Sequence, residues 1–208
     1  MELSVTTFIT LDGVYQAPGG PEEDPGGGFT HGGWSVPFGD DAFGEFMISV
    51  FDRVDAFLLG RRTYEIFAGY WPEHDDPADP IAHKLNSLPK YVATRTLDQA
   101  DWFGSELLHG DLVKEVTELK ARPGHELQVH GSGDLVHTLL ANGLVDTLNI
   151  LTFPVILGSG KRLFVEGAQP TGLALTESRT TPAGVIIGTY RKQGAPVYGD
   201  YSDEGSSA

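Results

Sequence analysis

Residues His130-Gly131-Ser132-Gly133-Asp134-Leu135 join an alternating apolar segment, Glu126-Leu127-Gln128-Val129, to a stretch whose Leu135, Val136, Leu139 and Leu140 share one helical face. A glycine-flanked turn that opens a helix leaves backbone N–H groups free beside the positive end of the helix dipole, and that geometry suits a phosphate. Gly-x-Gly is only a fragment of the usual dinucleotide fingerprint, and such turns also serve packing alone. A second place of the same kind is Gly60-Arg61-Arg62-Thr63, directly after the wholly apolar Ala56-Phe57-Leu58-Leu59. Two arginines at a helix start can fork onto phosphate oxygens, and Thr63 and the first amides add donors. A third is Thr94-Arg95-Thr96, where hydroxyls and a guanidinium after a strand could hold a ribose 2′-phosphate, the group that separates NADP from NAD.

Other chemistries find less support. The 7 histidines are scattered, and His130 and His137 span a turn and a helix rather than an i, i+4 face, so no zinc site is expected. Asp75, Asp76 and Asp79 lie among prolines and read as a solvated acidic loop rather than a calcium site. Ser132 lacks the Gly-x-Ser-x-Gly frame of a nucleophile elbow.

The elements that must position these groups follow from patterning. Leu3 to Leu11 is β-rich and ends at Asp12-Gly13. Residues 17 to 33 are rich in glycine and proline and form a long loop, too flexible to order itself cheaply; loops of that length are functional or disordered. Asp40 and Asp41 precede Phe43, Phe46, Met47 and Val50, an amphipathic helix with an aspartate cap. Ala56 to Leu59 reads as a strand buried on both faces. Helices are expected from Gly60 towards Pro72, over Ala78 to Ser87 and from Asp111 to Lys120. Strands are expected at Lys90 to Thr94, Val145 to Leu157, Leu173 to Ser178 and Val185 to Lys192, the last two as an antiparallel pair across Pro182-Ala183-Gly184. The alternation predicts an α/β fold: a mainly parallel sheet between helical layers, with an antiparallel C-terminal edge. Ligands of such sheets bind beyond the carboxyl ends of the strands, where the three glycine-bearing turns could converge.

At 208 residues, 40% hydrophobic and 21% charged, the chain suits a single domain, expected over residues 1–193, with a small, polar, acidic tail over 194–208. A net charge of -15 repels phosphate backbones and anionic lipids, so neither nucleic acid nor membrane is an expected partner; a phosphate ligand would need local arginines. There is no cysteine, which excludes disulfides and thiolate chemistry. The start carries no signal-peptide pattern, so cytoplasm is the default expectation. The apolar run Leu148 to Leu157 could pair across a homodimer.

Thr10-Leu11-Asp12-Gly13, Leu58-Leu59-Gly60-Arg61-Arg62-Thr63-Tyr64-Glu65, His130-Gly131-Ser132-Gly133, Gly143-Leu144-Val145-Asp146 and Phe153-Pro154-Val155-Ile156-Leu157-Gly158-Ser159-Gly160-Lys161-Arg162-Leu163-Phe164 occur in this order. Together, over roughly residues 3 to 192, they resemble the dihydrofolate reductase superfamily. The nearer branch is that of stand-alone proteins similar to the C-terminal reductase domain of the bifunctional riboflavin-biosynthesis deaminase/reductase. The resemblance implies a three-layer α/β/α fold, NADPH as hydride donor, and a small heterocyclic substrate such as 5-amino-6-(5-phosphoribosylamino)uracil. By position, Gly60, Arg61, Arg62 and Thr63 would meet the cofactor phosphates, Thr94 and Arg95 the adenosine 2′-phosphate, and Gly131, Ser132 and Gly133 the pyrophosphate or the nicotinamide side. Lys161 and Arg162 would lie near a phosphoribosyl group. A substrate-side acid is expected at Asp12, in the recurrent Asp-Gly, or in the first helix at Asp41, with Asp40 and Glu45 beside it. Asp40 and Asp41 serve equally as helix caps, and Asp12 as a turn residue. A dihydrofolate reductase proper, or a protein that binds NADP or a small ligand without turnover, are the alternatives.

Overall fold

The computed structural model describes residues 1–201. Strand β1 (Glu2–Thr10) leads into the glycine-rich loop and helix α1 (Asp41–Asp52). Then come β2 (Val54–Gly60), α2 (Arg61–Ala68), α3 (Pro80–Ser87), β3 (Lys90–Ala93), β4 (Ser105–Leu108), α4 (Leu112–Lys120), β5 (Glu126–His130), α5 (Gly133–Ala141), β6 (Thr147–Phe153), β7 (Gly172–Thr180) and β8 (Ile186–Gly194). The aspartate caps read from the sequence are in place. Asp40 accepts from Phe43 N–H, Asp79 from Ile81 and Ala82 N–H, and Asp111 from Val113 and Lys114 N–H.

All eight strands form one sheet, in the order β4-β3-β2-β5-β1-β6-β8-β7. The first six positions are parallel, and β8 runs antiparallel to its neighbours β6 and β7, which gives the expected C-terminal edge. Because side chains alternate across a strand, each central strand feeds two cores. On β2, Phe57 and Leu59 pack with Phe46, Met47, Val50 and Phe51 of α1, Tyr64 of α2 and Leu85 of α3. Ala56 and Leu58 pack on the other side with Val116 and Leu119 of α4 and Leu135, Val136 and Leu139 of α5. The result is the three-layer α/β/α arrangement.

Register across the centre is set by buried polar groups. Thr6 Oγ1 of β1 accepts from Gln128 Nε2 of β5 and Asn149 Nδ2 of β6, and Asn149 Oδ1 accepts from Thr189 Oγ1 of β8. A slip of one residue would bury these groups unpaired, at a cost of roughly 1–3 kcal/mol each.

Three expectations need correction. Strand β4 was not anticipated: Ser105–Leu108 is short, lies at the sheet edge and lacks strong alternation. The segment read as one strand from Val145 to Leu157 pairs only over Thr147–Phe153, because Pro154 has no N–H to continue a ladder. The loop of residues 17–33 is fastened rather than free. Gln16 Nε2 donates to the carbonyls of Asp24 and Gly26, Trp34 Nε1 donates to Gln16 O, and Ser35 Oγ donates to Pro18 O. Of the expected tail, β8 takes in Gly194, while 202–208 lie outside the described residues.

Phe153 anchors this loop to the sheet. Its ring is buried and meets Phe8, Trp34, Phe38 and Phe43 at centroid distances of 5.5, 5.3, 5.9 and 6.2 Å. Phe153→Ala is expected to cost about 3–5 kcal/mol. Phe153→Leu should cost clearly less. Urea denaturation measures both, and limited proteolysis should find the loop around Trp34 cut faster in the alanine variant.

Candidate functional site

Five strands, β1 to β5, present their carboxyl ends to a single cleft of about 920 Å³. Its lining includes Gly60, Arg61, Arg62, Thr63, Thr94, Arg95, Gly131, Ser132 and Gly133, so the three turns singled out in the sequence converge on one space.

Ser132 ties two of those turns together. Its Oγ accepts from Gly60 N–H at 3.0 Å and donates to His130 O at 3.0 Å, which locks the end of β2 to the end of β5. Gly131 and Ser132 both adopt left-handed backbone, with φ of 56° and 55°, and Gly131 N–H donates to Thr6 O. Such a turn costs little at glycine but on the order of 1 kcal/mol at serine, and the two Ser132 hydrogen bonds hold it there. Gly133 is required by a close approach: a Cβ there would lie 2.0 Å from Tyr15 Cζ, whose ring lies across the start of α5. Burial, with the nearby Asp134 and Asp24 charges, pushes the Tyr15 hydroxyl well above the ordinary tyrosine range, so it stays protonated.

Three cations of the cleft are already engaged. Arg61 pairs with Glu65 one turn along α2. Arg62 Nη1 and Lys161 Nζ both bond the carboxylate of Asp24, a residue of the glycine-rich loop. Burial pushes that carboxyl up, but Lys161 and Arg62 outweigh it, and it remains ionised, below its usual value. Asp24 is thus a protein anion seated on two cations that could take phosphate oxygens. Thr94 Oγ1 is also engaged, accepting from Thr96 and Leu97 N–H.

The acids expected on the substrate side stand elsewhere. Asp41 is in the first turn of α1, next to the capping Asp40, and neither it nor Glu45 lines the cleft. Asp12 also lies outside the lining. Its Oδ1 accepts from Thr10 Oγ1 at 2.6 Å and from Leu157 N–H at 3.2 Å; its Oδ2 accepts from Gly158 N–H at 2.8 Å and pairs with Arg162. Asp12 and Arg162 therefore clasp residues 157–163 beside 10–15, and Tyr15 N–H donates to Lys161 O in the same clasp. The physical effect is to deliver Lys161, not Asp12 or Arg162, to the cleft. The acids that line it are Glu23, Asp24, Asp111 and Asp134. Glu23, raised by burial, accepts from Gly19 and Gly20 N–H within the loop. The run Glu22-Glu23-Asp24 inside a glycine-rich loop was the available signal, overlooked because the loop was read as unfastened. His130, set aside among scattered histidines, also lines the cleft, beside Phe8, Phe67 and Trp71.

The hydrogen bond from Thr10 and the loop N–H groups hold the Asp12 carboxyl at about 2, below its ordinary 3.8. A depressed folded-state value means that its stabilisation is whole above 3.8 and is lost as the pH falls towards about 2. Asp12→Asn is expected to flatten the acid limb of the stability–pH curve in that window. At neutral pH it should cost about 1 kcal/mol after solvent screening of a partly exposed carboxylate. Denaturation between pH 2.5 and 7 checks both.

The RibD C-terminal domain family matches residues 2–187. The uncharacterized protein YyaP of Bacillus subtilis (strain 168) is 28% identical over 188 residues, 89% of this chain and 92% of that protein. The uncharacterized protein YwjB of the same organism is 26% identical over 140 residues, 66% of this chain and 71% of that protein. Among solved structures, a candidate riboflavin biosynthesis protein from Shewanella sp. PV-4 superposes with a TM-score of 0.67 at 23% identity, over 93% of this chain and 99% of that one. A pyrimidine reductase-like protein from Corynebacterium diphtheriae gives 0.62 at 16% identity, over 92% of each chain. Dihydrofolate reductase from Enterococcus faecalis, complexed with NADP(H), gives 0.58 at 16% identity, over 92% of this chain and 96% of that one. The structural likenesses establish a dihydrofolate-reductase-like fold, and the match over nearly the whole chain means that this protein belongs to the RibD C-terminal domain family.

Proposed function

We propose that the protein is an NADPH-dependent reductase of a small heterocyclic substrate. The observation that carries this reading is the convergence of Gly60–Thr63, Thr94–Arg95 and Gly131–Gly133 on one cleft beyond the carboxyl ends of parallel strands. Its lining suits a phosphorylated ligand. It offers backbone N–H groups at the starts of α2 and α5, a glycine at 133 where the backbone is closely approached, and basic side chains in a chain that is otherwise strongly acidic. Arg62 and Lys161 would hold phosphate oxygens once Asp24 yields them. Thr63 and the amides of residues 132 and 133 would hold the middle of the ligand, and Arg95, at the β3 end, would take a 2′-phosphate. Bound there, the cofactor supplies a hydride. The protein's own contribution is to orient the two partners and keep water from between them. Reduction of 5-amino-6-(5-phosphoribosylamino)uracil is the named activity this reading favours. It is supported by family membership.

A second reading is favoured by one observation: Asp12, Asp41 and Glu45 all lie outside the lining of the cleft. On that reading the fold binds NADP or a small ligand without turnover. A small-molecule partner, a homodimer and a cytoplasmic setting belong to the proposal. Among the described residues no helix is long and apolar enough to cross a membrane.

Titration of the protein with NADPH, followed by nicotinamide fluorescence, should show saturable binding. No binding at tens of micromolar overturns the reading. Arg62→Ala should weaken binding about tenfold or more and flatten its salt dependence, as expected for loss of a charge-assisted phosphate contact. Asp24→Asn, which releases the same guanidinium, should tighten it. NADPH oxidation screened with pterins, aminopyrimidines and quinones then separates a reductase from a non-catalytic binder.

A further inference from the structure

His130 is an unusual residue to find at the end of a central strand. Its ring packs in an aromatic box, 5.8 Å from Phe8, 6.0 Å from Phe51 and 5.6 Å from Phe67 by centroid distance. Phe67 in turn meets Trp71 at 6.3 Å. Phe8, Phe67, Trp71 and His130 all line the cleft, whereas Phe51 is buried in the core behind. One end of the cleft is therefore walled by flat rings.

The imidazole has polar capacity that the protein leaves unused. Its Nδ1 is buried and has no hydrogen-bond partner. A ligand in the cleft can therefore reach the ring only at Nε2. Buried N–H groups without an acceptor are rarer than buried acceptors without a donor, so the proton belongs on Nε2, facing the cavity. Burial pushes the imidazolium down to about 4, so the ring is neutral across the physiological range. The same desolvation penalises any charge placed beside it. An edge of neutral N–H between aromatic walls selects a flat ring that carries no charge and presents a carbonyl oxygen.

We infer that His130, with Phe8, Phe67 and Trp71, forms the seat for the ring of the substrate and donates a hydrogen bond from Nε2 to a carbonyl of a planar, uncharged heterocycle. This deepens the reductase reading by naming which residue meets the acceptor and what acceptor chemistry it reads. It does not depend on the cofactor being bound.

Lumichrome, a flat uncharged fluorescent ring with two carbonyls, tests the seat by anisotropy titration without NADPH. Naphthalene-2-sulfonate, flat but anionic and without a ring carbonyl, is the control. Wild-type protein is expected to bind lumichrome at least tenfold more tightly than the sulfonate. His130→Phe keeps the aromatic packing and removes the donor, and it should weaken lumichrome binding tenfold or more. His130→Gln restores a neutral N–H and should recover most of the loss. NADPH fluorescence with the His130→Phe protein reports whether the rest of the cleft is intact. Equal lumichrome binding by wild type and His130→Phe, binding of the sulfonate as tight as lumichrome, or no lumichrome binding by wild type each overturns the assignment. Lumichrome binding by a protein that ignores NADPH leaves the seat standing and removes the reductase reading instead.

Discussion

The whole arrangement depends on the register of three adjacent parallel strands around Thr6. Its hydroxyl receives hydrogen bonds from Gln128 and Asn149, and its carbonyl receives the N–H of Gly131. One residue thus pins β5 and β6 to β1 and also sets where the chain leaves β5. Side chains alternate across a strand, so a one-residue slip would send every central side chain to the opposite core. The cores on both sides, built on Phe57 and Leu59 on one face and Ala56 and Leu58 on the other, leave no slack for it.

From that register the cleft follows. Once β5 ends at His130, Ser132 lies where its hydroxyl can bridge to Gly60, and the starts of α2 and α5 open onto the same space. Second-level fastenings complete it. Asp12 and Arg162 clasp the segment after β6 and bring Lys161 inward, and Phe153 receives Trp34 and Phe38 from the long loop. Asp24 then reaches across that loop to Arg62 and Lys161, so the chain itself offsets the positive charge of the cleft. A ligand bearing phosphates would compete with Asp24, which offsets part of the electrostatic gain of binding.

The two halves of the cleft differ in chemical character. The half over β2 and β3 is polar and carries Arg61, Arg62 and Arg95; the half beside Phe8 and Phe67 is aromatic and holds a neutral imidazole. Charged groups and aromatic rings are separated along one groove, the division that the proposed reductase reading calls for.

Most of the strands and helices were legible in the amino-acid sequence. Asp40, Asp79 and Asp111 announce helix starts through their short side chains, and apolar runs such as Ala56–Leu59 announce central strands, because these signals are local. That nine residues in three turns would line one cleft was suggested for the same reason: each sits in a turn whose glycine, arginine or threonine content is a local signal. The placement of acids and of His130 was decided by tertiary structure. Asp12 has the right local setting for either a turn or a proton donor, and only the approach of Leu157, Gly158 and Arg162 makes it a clasp. Asp24 and His130 acquire their surroundings from segments far away in the chain, Lys161 for one and Phe8 for the other. Electrostatics and desolvation depend on what is near in space, and no pattern within a few residues records it.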